Sequence, residues 1–415
     1  MAEKPYAWLT GAELDNHTRR KHKVIREYFS DYLRIRCQHP QQSVFRLAVV
    51  DGFSGGGRYK DGEPGSPIIF LEVLKEAVHA FNIERAANGL KALDLDCLLI
   101  FNDAKRDVVE MLKTNVAPLE ADIKSTSPRL HVRIEYLNHK FAKAYPIIRQ
   151  QLANSPYQNV IFNLDQCGTS HVYQSTIVDI MRSFASAEIF FTFMISSLIA
   201  FLQKQDEERL LRQLRPLGLS RADIGDLGGL KSKREWLGTA ERIVFQTYQA
   251  CAPYVSPFSI NNPEGWEYWL IHFANSHRAR EAYNNVLHAN STAQAHFGRS
   301  GLKMLTYNPE HEGKLYLFTE DGREDARNQL LLDIPGRVSL FGDILPVQLF
   351  REGIYNETPA HSDDVNYALV ENPDLEVITP RGGKRRAAGQ IKANDFIKLK
   401  PQPSFFPLWQ PMKRL

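Results

Sequence analysis

The spacing of apolar residues predicts that strands and helices alternate through the first half of the chain. Apolar-rich runs, typical of strands in a buried parallel sheet, lie at residues 44–51, 93–102, 132–137, 159–164 and 188–195. After the first four, apolar residues recur at helical spacing, at residues 68–80, 104–115, 142–153 and 175–186. This alternation predicts an α/β fold with a doubly wound, Rossmann-like sheet.

The pattern outside this core divides the rest of the chain. Residues 10–36 read as an amphipathic helix, with Thr10 as the expected N-cap. Charged helical stretches follow the core, and an aromatic-rich strand at 266–273 is expected to close the sheet. We therefore expect an N-terminal helical segment (1–43), a Rossmann-like core (44–202), a helical insertion or lid (203–262), a completion of the core sheet (263–335) and a C-terminal domain (336–415).

The C-terminal domain has the outline of a winged helix. Helices are expected at 344–353 and 363–371, and strands at 375–378 and 396–399. The turn between the strands holds two glycines and four cations, Arg381, Lys384, Arg385 and Arg386. A flexible cationic hairpin tip suits a nucleic-acid backbone, so we predict that these four residues bind RNA or DNA. The alternative is a solvated loop that is basic for solubility.

Composition and charge exclude several classes of protein. The 415 residues carry a net charge of only +3, so any nucleic-acid surface must be local. The four cysteines lie far apart without a CxxC pair, which argues against a zinc ribbon or a disulfide framework and predicts a reducing, cytoplasmic location. The longest apolar run, residues 189–202, is about 14 residues long and shorter than the roughly 20 of a membrane span, so no membrane association is expected.

Polar residues cluster near the start of the first helix, at His17, Thr18, Lys21 and His22. The two histidines are five positions apart and do not share a helical face, so no metal site is predicted. We expect the cluster to be a solvated turn, and a phosphate or substrate contact is the alternative.

A glycine-rich loop follows the first strand, with the sequence Asp51-Gly52-Phe53-Ser54-Gly55-Gly56-Gly57. Glycines let the backbone turn sharply and approach a ligand closely. A carboxylate at the strand tip disfavours a phosphate and suits a hydroxyl or an amino group. The loop therefore predicts a cofactor other than a bare pyrophosphate, with S-adenosylmethionine (SAM) as the leading candidate. A plain strand-to-helix turn without a ligand is the alternative.

Polar residues also end the next strands. Asn102 and Asp103 follow the second strand, Asn138 the third and Asp165 the fourth. Ligands of doubly wound sheets bind beyond the carboxyl ends of the strands, so these tips are expected to lie at one edge with Asp51. Asp103 suits a ribose hydroxyl, although it could instead cap the following helix.

With these motifs in place, the chain resembles the three-Cys-motif partner protein family over most of its length. The matching stretches are His17-Thr18 with Lys21-His22, Asp51-Gly52-Phe53-Ser54-Gly55-Gly56-Gly57-Arg58-Tyr59, Gly65-Ser66-Pro67, Leu164-Asp165-Gln166-Cys167-Gly168, residues 272–280 and Thr358-Pro359-Ala360. The family resembles Rossmann-fold, SAM-dependent methyltransferases. Its members are named for a neighbouring protein with three cysteines that is similar to radical-SAM enzymes, and the resemblance implies such a partner protein here.

The resemblance also implies roles for individual residues. Asp51, Phe53, Gly55 and Gly57 would shape the loop at the methionine end of the cofactor, and Asp103 would hold the ribose. We include Ser54, Asn102 and Asn138 in the expected cofactor site.

Asp165 matches the acid that begins an Asp-Pro-Pro-aromatic motif in amino-methyltransferases. There the acid accepts a hydrogen bond from an exocyclic amine, and the aromatic residue stacks on the flipped base.

The chain departs from the family at this motif, because Gln166 and Cys167 replace a proline and an aromatic residue. Asp165 could still accept from an amine, but the stacking partner must come from elsewhere, with Tyr173 and Phe193 as candidates. Cys167 is expected to be a small buried side chain, and a covalent nucleophile, as in pyrimidine C5-methyltransferases, is the alternative.

Three functional hypotheses follow. The first is a SAM-dependent methyltransferase that acts on an exocyclic amine of a base in RNA or DNA, with Asp165 as the catalytic residue. The second is a catalytically weak or inactive methyltransferase-fold module that binds nucleic acid and a partner protein in a defence or repair complex. The third is a methyltransferase acting on a protein or a small molecule.

Overall fold

The computed structural model describes residues 7–166, 171–203, 207–224, 239–240, 243–244, 246–262, 265–290, 294–297, 302, 315–317 and 319–401. The chain divides into two compact units. The first comprises residues 1–299 and 305–319, and the second comprises residues 300–304 and 320–415.

The first unit is built on a sheet of nine strands in the order β3-β2-β1-β4-β5-β7-β6-β8-β9. The strands are β1 (Val44–Asp51), β2 (Asp94–Asn102), β3 (Leu130–Leu137), β4 (Asn159–Leu164), β5 (Ser186–Phe193), β6 (Tyr254–Asn262), β7 (Gly265–Ala274), β8 (Gln294–Phe297) and β9 (Leu315–Leu317). β1 to β5 are parallel, and β7 runs antiparallel between β5 and β6. The first seven strands form a doubly wound, Rossmann-like sheet, which confirms the predicted α/β class of the core.

Helices cover both faces of the parallel strands. They are α1 (Asn16–Cys37), α2 (Ser66–Ala87), α3 (Arg106–Thr126), α4 (Phe141–Ala153), α5 (Gln174–Ser183), α6 (Ile195–Gln203), α7 (Glu207–Leu214) and α8 (His277–Ala289). Residues of α4 to α7 form one apolar core with alternate residues of the strands, such as Ala48 and Val50 of β1. Because strands buried on both faces need apolar residues at every position, their runs are continuous rather than alternating.

The N-terminus differs from the sequence expectation. Thr10 ends a short 3-10 helix, Ala7–Thr10, and α1 begins only at Asn16. The N-cap is Asp15, whose carboxylate accepts the N–H of Thr18 at 2.7 Å. Gly11 lies between the two helices with a φ of 88°, a left-handed conformation that interrupts helical structure. The prediction that Thr10 caps the first helix is therefore wrong.

The second unit contains α9 (Glu320–Ser339), β10 (Ile344–Pro346), α10 (Val347–Ile354), α11 (Ser362–Glu371), β11 (Leu375–Ile378) and β12 (Phe396–Leu399). The strands pair antiparallel in the order β10-β12-β11. The expected helix at 344–353 begins three residues late, because Ile344 to Pro346 pair with β12. Asp364 of α11 is buried and accepts hydrogen bonds from Arg323 and Arg327 of α9 at 2.7–2.9 Å, which ties these two helices together.

Across the described part of the chain, every helix is too short or too polar to cross a membrane.

Candidate functional site

Asp51 organises the end of β1 without contacting solvent. Its carboxylate is fully buried and accepts hydrogen bonds from the Ser66 hydroxyl at 2.6 Å, the Asn163 amide at 3.1 Å and the Phe53 N–H at 3.2 Å. Burial raises the pKa of Asp51 to about 6, and the hydrogen bonds oppose that rise. Through these hydrogen bonds Asp51 links the end of β1 to β4 and to the start of α2. It therefore holds the glycine loop in position without facing solvent itself.

The glycine loop is packed tightly against aromatic and sulfur-bearing side chains. A Cβ on Gly55 would lie 2.3 Å from the Trp8 ring, and one on Gly56 would lie 2.6 Å from the sulfur of Met111. Gly55 and Gly57 have φ values of 59° and 83°, which disfavour other residues. Close packing and left-handed backbone together account for these glycines, and the Trp8 ring covers the loop at Gly55 and Gly56.

The tips of β2 and β3 join the same network. Asn102 is buried and donates hydrogen bonds to the carbonyls of Gly52 at 3.0 Å and His139 at 2.9 Å. Asp103 accepts the Lys105 N–H, two residues on, at 2.9 Å, and also the Gly55 N–H at 3.3 Å. The N-cap of α3 is Lys105, so the alternative that Asp103 caps this helix is wrong. The exposed Asn138 donates to the Asp103 carbonyl at 3.0 Å.

The remaining predicted residues of the loop lie beside this network. Ser54 is buried and donates its hydroxyl to the Asp51 carbonyl at 3.0 Å. Phe53 is half-buried, with its ring centroid 5.5 Å from that of Phe141 and 6.3 Å from that of His171. The structure therefore brings the residues predicted at the tips of β1, β2 and β3 together at one edge of the sheet.

Asp165 lies at the tip of β4, and its carboxylate accepts a hydrogen bond from the ammonium of Lys21 in α1. Burial by itself would raise the pKa of Asp165. The charge and hydrogen bond of Lys21, together with a hydrogen bond from Thr192, outweigh burial and hold this pKa below its usual range. Asp165 is therefore ionised at neutral pH in a half-buried site, and both of its carboxylate oxygens can accept hydrogen bonds.

Lys21 and His22 are buried, contrary to the expectation from the sequence. Both are 7% exposed, so the interpretation of this cluster as a solvated turn is wrong. Burial lowers the pKa of His22 to about 4, and the neighbouring Lys21 adds to that effect, so His22 is neutral at pH 7. The only signal in the sequence was the concentration of polar residues where the helix must pack.

The side chain of Gln166 folds back into the loop that follows β4. Its Oε1 accepts the N–H groups of His171 and Val172, each at 3.0 Å. Gln166 is 1% exposed, and its Nε2 has no hydrogen-bond partner within the residues that the structure describes. The adjacent Cys167 lies outside the described residues, so both interpretations of this cysteine stay predictions.

The structure gives no contact between Asp165 and either proposed stacking partner, Tyr173 or Phe193. Phe193 is fully buried in the apolar core of the first unit, which excludes it from stacking on a base in this conformation. Tyr173 is 38% exposed and lies at the N-cap of α5. Two tyrosines contact histidines near the start of α1: the ring centroid of Tyr268 is 5.6 Å from that of His17, and the ring centroid of Tyr59 is 5.9 Å from that of His22.

The basic hairpin between β11 and β12 belongs to the second unit, and its four cations differ in environment. Arg385 donates to the buried carboxylate of Asp395 at 2.8 and 3.1 Å, and Lys384 pairs with Glu376. Arg381 and Arg386 are exposed, and neither forms an ion pair within the described residues. Two of the four predicted cations are thus engaged within the fold, and two face solvent.

Among the described residues, there is no group of three or more His, Cys, Asp or Glu side chains that could hold a metal ion.

No protein-family model matches the chain, and neither does any curated protein. Solved structures similar to it include the O-methyltransferase TomG from Streptomyces achromogenes, involved in tomaymycin synthesis and in complex with SAM. It is 10% identical, with 64% of this chain and 92% of that chain covered and a TM-score of 0.27. An O-methyltransferase from Bacillus cereus in complex with SAH is 10% identical, with 63% of this chain and 82% of that chain covered and a TM-score of 0.28. The fold assignment rests on the strand order of the sheet itself.

Proposed function

We propose that this chain is a SAM-dependent methyltransferase whose acceptor is an exocyclic amine of a nucleic-acid base. The observation that carries the proposal is the position of Asp165. An ionised carboxylate, 26% exposed and paired with Lys21, lies at the tip of β4 next to the glycine loop after β1. In a doubly wound sheet this edge is where ligands bind.

The chemistry of the residues at this edge fits SAM. Asp103 suits the ribose hydroxyls, Asn138 can offer an amide to the adenine, and the half-buried ring of Phe53 gives the cofactor an apolar surface. The backbone of the glycine loop would border the methionine end, with Asp51 holding that loop in place from its buried position. When bound, SAM supplies an electrophilic methyl carbon on a positively charged sulfur.

Asp165 is placed to handle the proton of the acceptor. The amine nitrogen forms the new C–N bond, the electrons of the broken C–S bond stay on sulfur, and the nitrogen gives up one proton. A carboxylate held ionised by Lys21 can orient the amine through its N–H and then take that proton. The pair of Asp165 and Lys21 thus matches what an amino acceptor requires.

The second unit supports a polynucleotide as the carrier of the base. Its order of helix, strand, helix, helix and two hairpin strands is compatible with a winged helix, in which residues 379–386 would be the wing. Arg381 and Arg386 are the cations of the wing that would contact phosphates. The exposed residues of α11 are Asp363, Tyr367 and Glu371, whose acids disfavour phosphate. We therefore assign nucleic-acid contact to the wing rather than to α11.

The proposal is tested first by isothermal titration of the full chain with SAM and with S-adenosylhomocysteine. Absence of binding by both would contradict it. The second step is transfer of a labelled methyl group to total RNA and genomic DNA. Reversing the charges of Arg381 and Arg386 should abolish transfer to the polymer. If turnover on a different acceptor persists unchanged in that variant, the substrate is a protein or a small molecule.

A second candidate function is a methyltransferase-fold module without turnover, which binds nucleic acid and a partner protein with a three-cysteine motif. The contact of the Trp8 ring with Gly55 and Gly56 favours it, because a side chain of the protein itself covers this part of the glycine loop. Binding of S-adenosylhomocysteine without transfer to any nucleic-acid pool would favour this candidate over the enzyme.

A further inference from the structure

Three exposed lysines lie at the carboxyl edge of the sheet, where the loops after β2 and β3 run side by side. Lys105 follows β2, and Lys140 and Lys143 follow β3. The two loops are joined by a hydrogen bond from the amide of Asn102 to the carbonyl of His139 at 2.9 Å. We call these three lysines the lysine rim.

The rim differs from other exposed lysines of the same unit because its charges are not paired with acids. Further along α3, Lys113 donates to Glu110 at 2.8 Å and Lys124 donates to Glu120 at 2.7 Å. In contrast, no rim lysine forms an ion pair within the part of the chain that the structure describes. Between β3 and the end of β4, residues 136–164 contain no Asp or Glu. The positive charge of the rim is therefore not neutralised by the fold.

The fold gains no stability from lysines at these positions. Lys105 is the N-cap of α3 and Lys140 is the N-cap of α4, and neither side chain caps its helix. An N-cap favours side chains that accept hydrogen bonds, and a cation near the positive end of a helix dipole is unfavourable. Lys143 lies in the first turn of α4, which holds no acid, whereas the first turn of α3 holds Asp107. The rim thus concentrates positive potential that favours an anionic ligand.

The rim lies close to the loop that begins with Asp165. Partial burial lowers the pKa of His171, and the charge of Lys140 adds to that effect, so Lys140 is near this histidine. The N–H of His171 donates to Gln166 at 3.0 Å, and the ring of His171 lies 6.3 Å from that of Phe53, measured between centroids. The exposed ring of His171 therefore connects the rim to the loop of Asp165.

We propose that the lysine rim binds the phosphate backbone of a polynucleotide, so that the first unit contacts the polymer directly. Lys140 and Lys143 are three positions apart on α4, which places their Cβ atoms about 5–6 Å from each other on one face. Phosphate contacts of this kind position a polymer without reading its sequence. The inference rests on the nucleic-acid substrate of the proposed function and gives the first unit a contact surface of its own.

The aromatic ring beside the rim favours nucleic acid over other polyanions. Bases stack on aromatic side chains next to a cationic surface, whereas the acidic side chains of a peptide do not. The exposed His171 offers such a ring next to Lys140, and the exposed Tyr173 follows it by two residues.

The test is the salt dependence of nucleic-acid binding by the full chain and by a triple variant, Lys105→Gln with Lys140→Gln and Lys143→Gln. Binding of a labelled single-stranded oligonucleotide of mixed sequence is measured by fluorescence anisotropy between about 50 and 200 mM salt. Each lost phosphate contact reduces the salt slope by about 0.7 for a single strand, so the triple variant should lose about 2. A slope equal to that of the wild-type chain, or no binding by the wild-type chain, would overturn the inference.

Lys91→Gln is the matched control. Lys91 is exposed and forms no ion pair with the residues that the structure describes, but it precedes the start of β2 and so lies at the opposite edge of the sheet. Its substitution should leave the salt slope unchanged. A reduction equal to that of Lys140→Gln would show that net charge, rather than the rim, decides binding.

Lys140→Asp separates binding from stability. An aspartate at the N-cap accepts N–H groups of α4, so the thermal midpoint should stay the same or rise. Nucleic-acid binding at low salt should weaken about tenfold or more, because an attractive charge is replaced by a repulsive one. A lowered midpoint would show that Lys140 stabilises the fold, and wild-type affinity would remove it from the interface.

Polyglutamate and vesicles that contain phosphatidylserine are the comparison polyanions. If the triple variant loses binding to one of these and keeps binding to nucleic acid, the rim serves an acidic protein or a membrane and the inference is wrong. Failure of the proposed function is recognised separately by titration with S-adenosylhomocysteine. A chain that binds nucleic acid through the rim but does not bind this compound would contradict the methyltransferase and not the rim.

Discussion

Lys21, in the second turn of α1, donates a hydrogen bond to the carboxylate of Asp165 at the tip of β4, 144 residues further along the chain. The contact joins the segment that precedes the sheet to the motif that ends its fourth strand. The start of α1 is therefore part of the site, and the first 43 residues are more than a helical extension of the core.

Asp165→Asn should abolish most methyl transfer and leave cofactor affinity unchanged. An asparagine can still accept one hydrogen bond, but it cannot take a proton, and loss of a general base lowers rates about 100- to 10,000-fold. The measurement is transfer of labelled methyl groups, with titration of S-adenosylhomocysteine on the same preparation as the control. A variant that retains wild-type turnover would show that Asp165 does no chemistry.

Asp51 should make the protein less stable as the pH rises from about 4 to about 6. Its ordinary pKa is 3.8, and burial raises the pKa in the folded state to about 6. Below both values the carboxyl is neutral in the folded and unfolded states. Between them only the unfolded chain ionises, which costs about 3 kcal/mol of folding free energy by pH 6 and no more above it.

Asp51→Asn removes that ionisation. The free energy of unfolding of the variant, measured by chemical denaturation, should therefore lack the decline between pH 4 and pH 6 that Asp51 causes in the wild-type chain. The difference between the two proteins isolates Asp51, since all other groups titrate in both. Parallel stability curves over this pH range would contradict a raised pKa.

Gly55→Ala should destabilise the first unit more than Gly62→Ala does. Both glycines have a positive φ, so alanine costs about 1–2 kcal/mol at either position from backbone strain. Nothing lies within 4 Å of a Cβ on Gly62, whereas one on Gly55 meets Trp8 at 2.3 Å and should cost about 1–3 kcal/mol more.

Combining Trp8→Ala with Gly55→Ala should remove the clash between the new Cβ and the Trp8 ring and so recover that part of the lost stability. The cost of backbone strain at position 55 should remain. Denaturation curves of the single and double variants give the coupling energy between the two positions. Additive effects would mean that the ring does not press on the loop in solution.

Substituting Arg385 should affect the stability of the second unit, whereas substituting Arg381 should affect only the binding of nucleic acid. Arg385→Ala leaves the carboxylate of Asp395 without its cation, which should lower the free energy of unfolding. Arg381→Ala should leave the thermal midpoint unchanged, because the exposed Arg381 forms no ion pair within the described residues.

Binding of single-stranded and duplex nucleic acid, measured over a range of salt concentrations, completes this test. If Arg381 contacts a phosphate, its removal should weaken binding to all sequences alike and reduce the salt slope by about 1. A slope equal to that of the wild-type chain would remove Arg381 from the interface.

The sequence by itself determined the fold class and the edge at which the site lies. Short continuous apolar runs that alternate with helical patterns are typical of strands covered on both faces, and chain direction in a parallel sheet then places the residues at the end of each strand together. Asp51 ends its strand, and Asp103 and Asp165 follow theirs directly, so their convergence needed no knowledge of side-chain packing. Local signals were weaker where several caps competed, as at Thr10 and Asp15.

Only the tertiary structure decided what those residues contact. The contacts of Asp51 with Ser66 and Asn163 and the pairing of Asp165 with Lys21 join residues far apart in sequence, so they depend on how the elements pack. In the wing, too, the sequence does not distinguish Arg381 from Arg385, because both are arginines in one short basic turn. A buried aspartate ten residues beyond Arg385 makes it a structural residue, because the charge of a side chain is local and its partner is chosen by the fold.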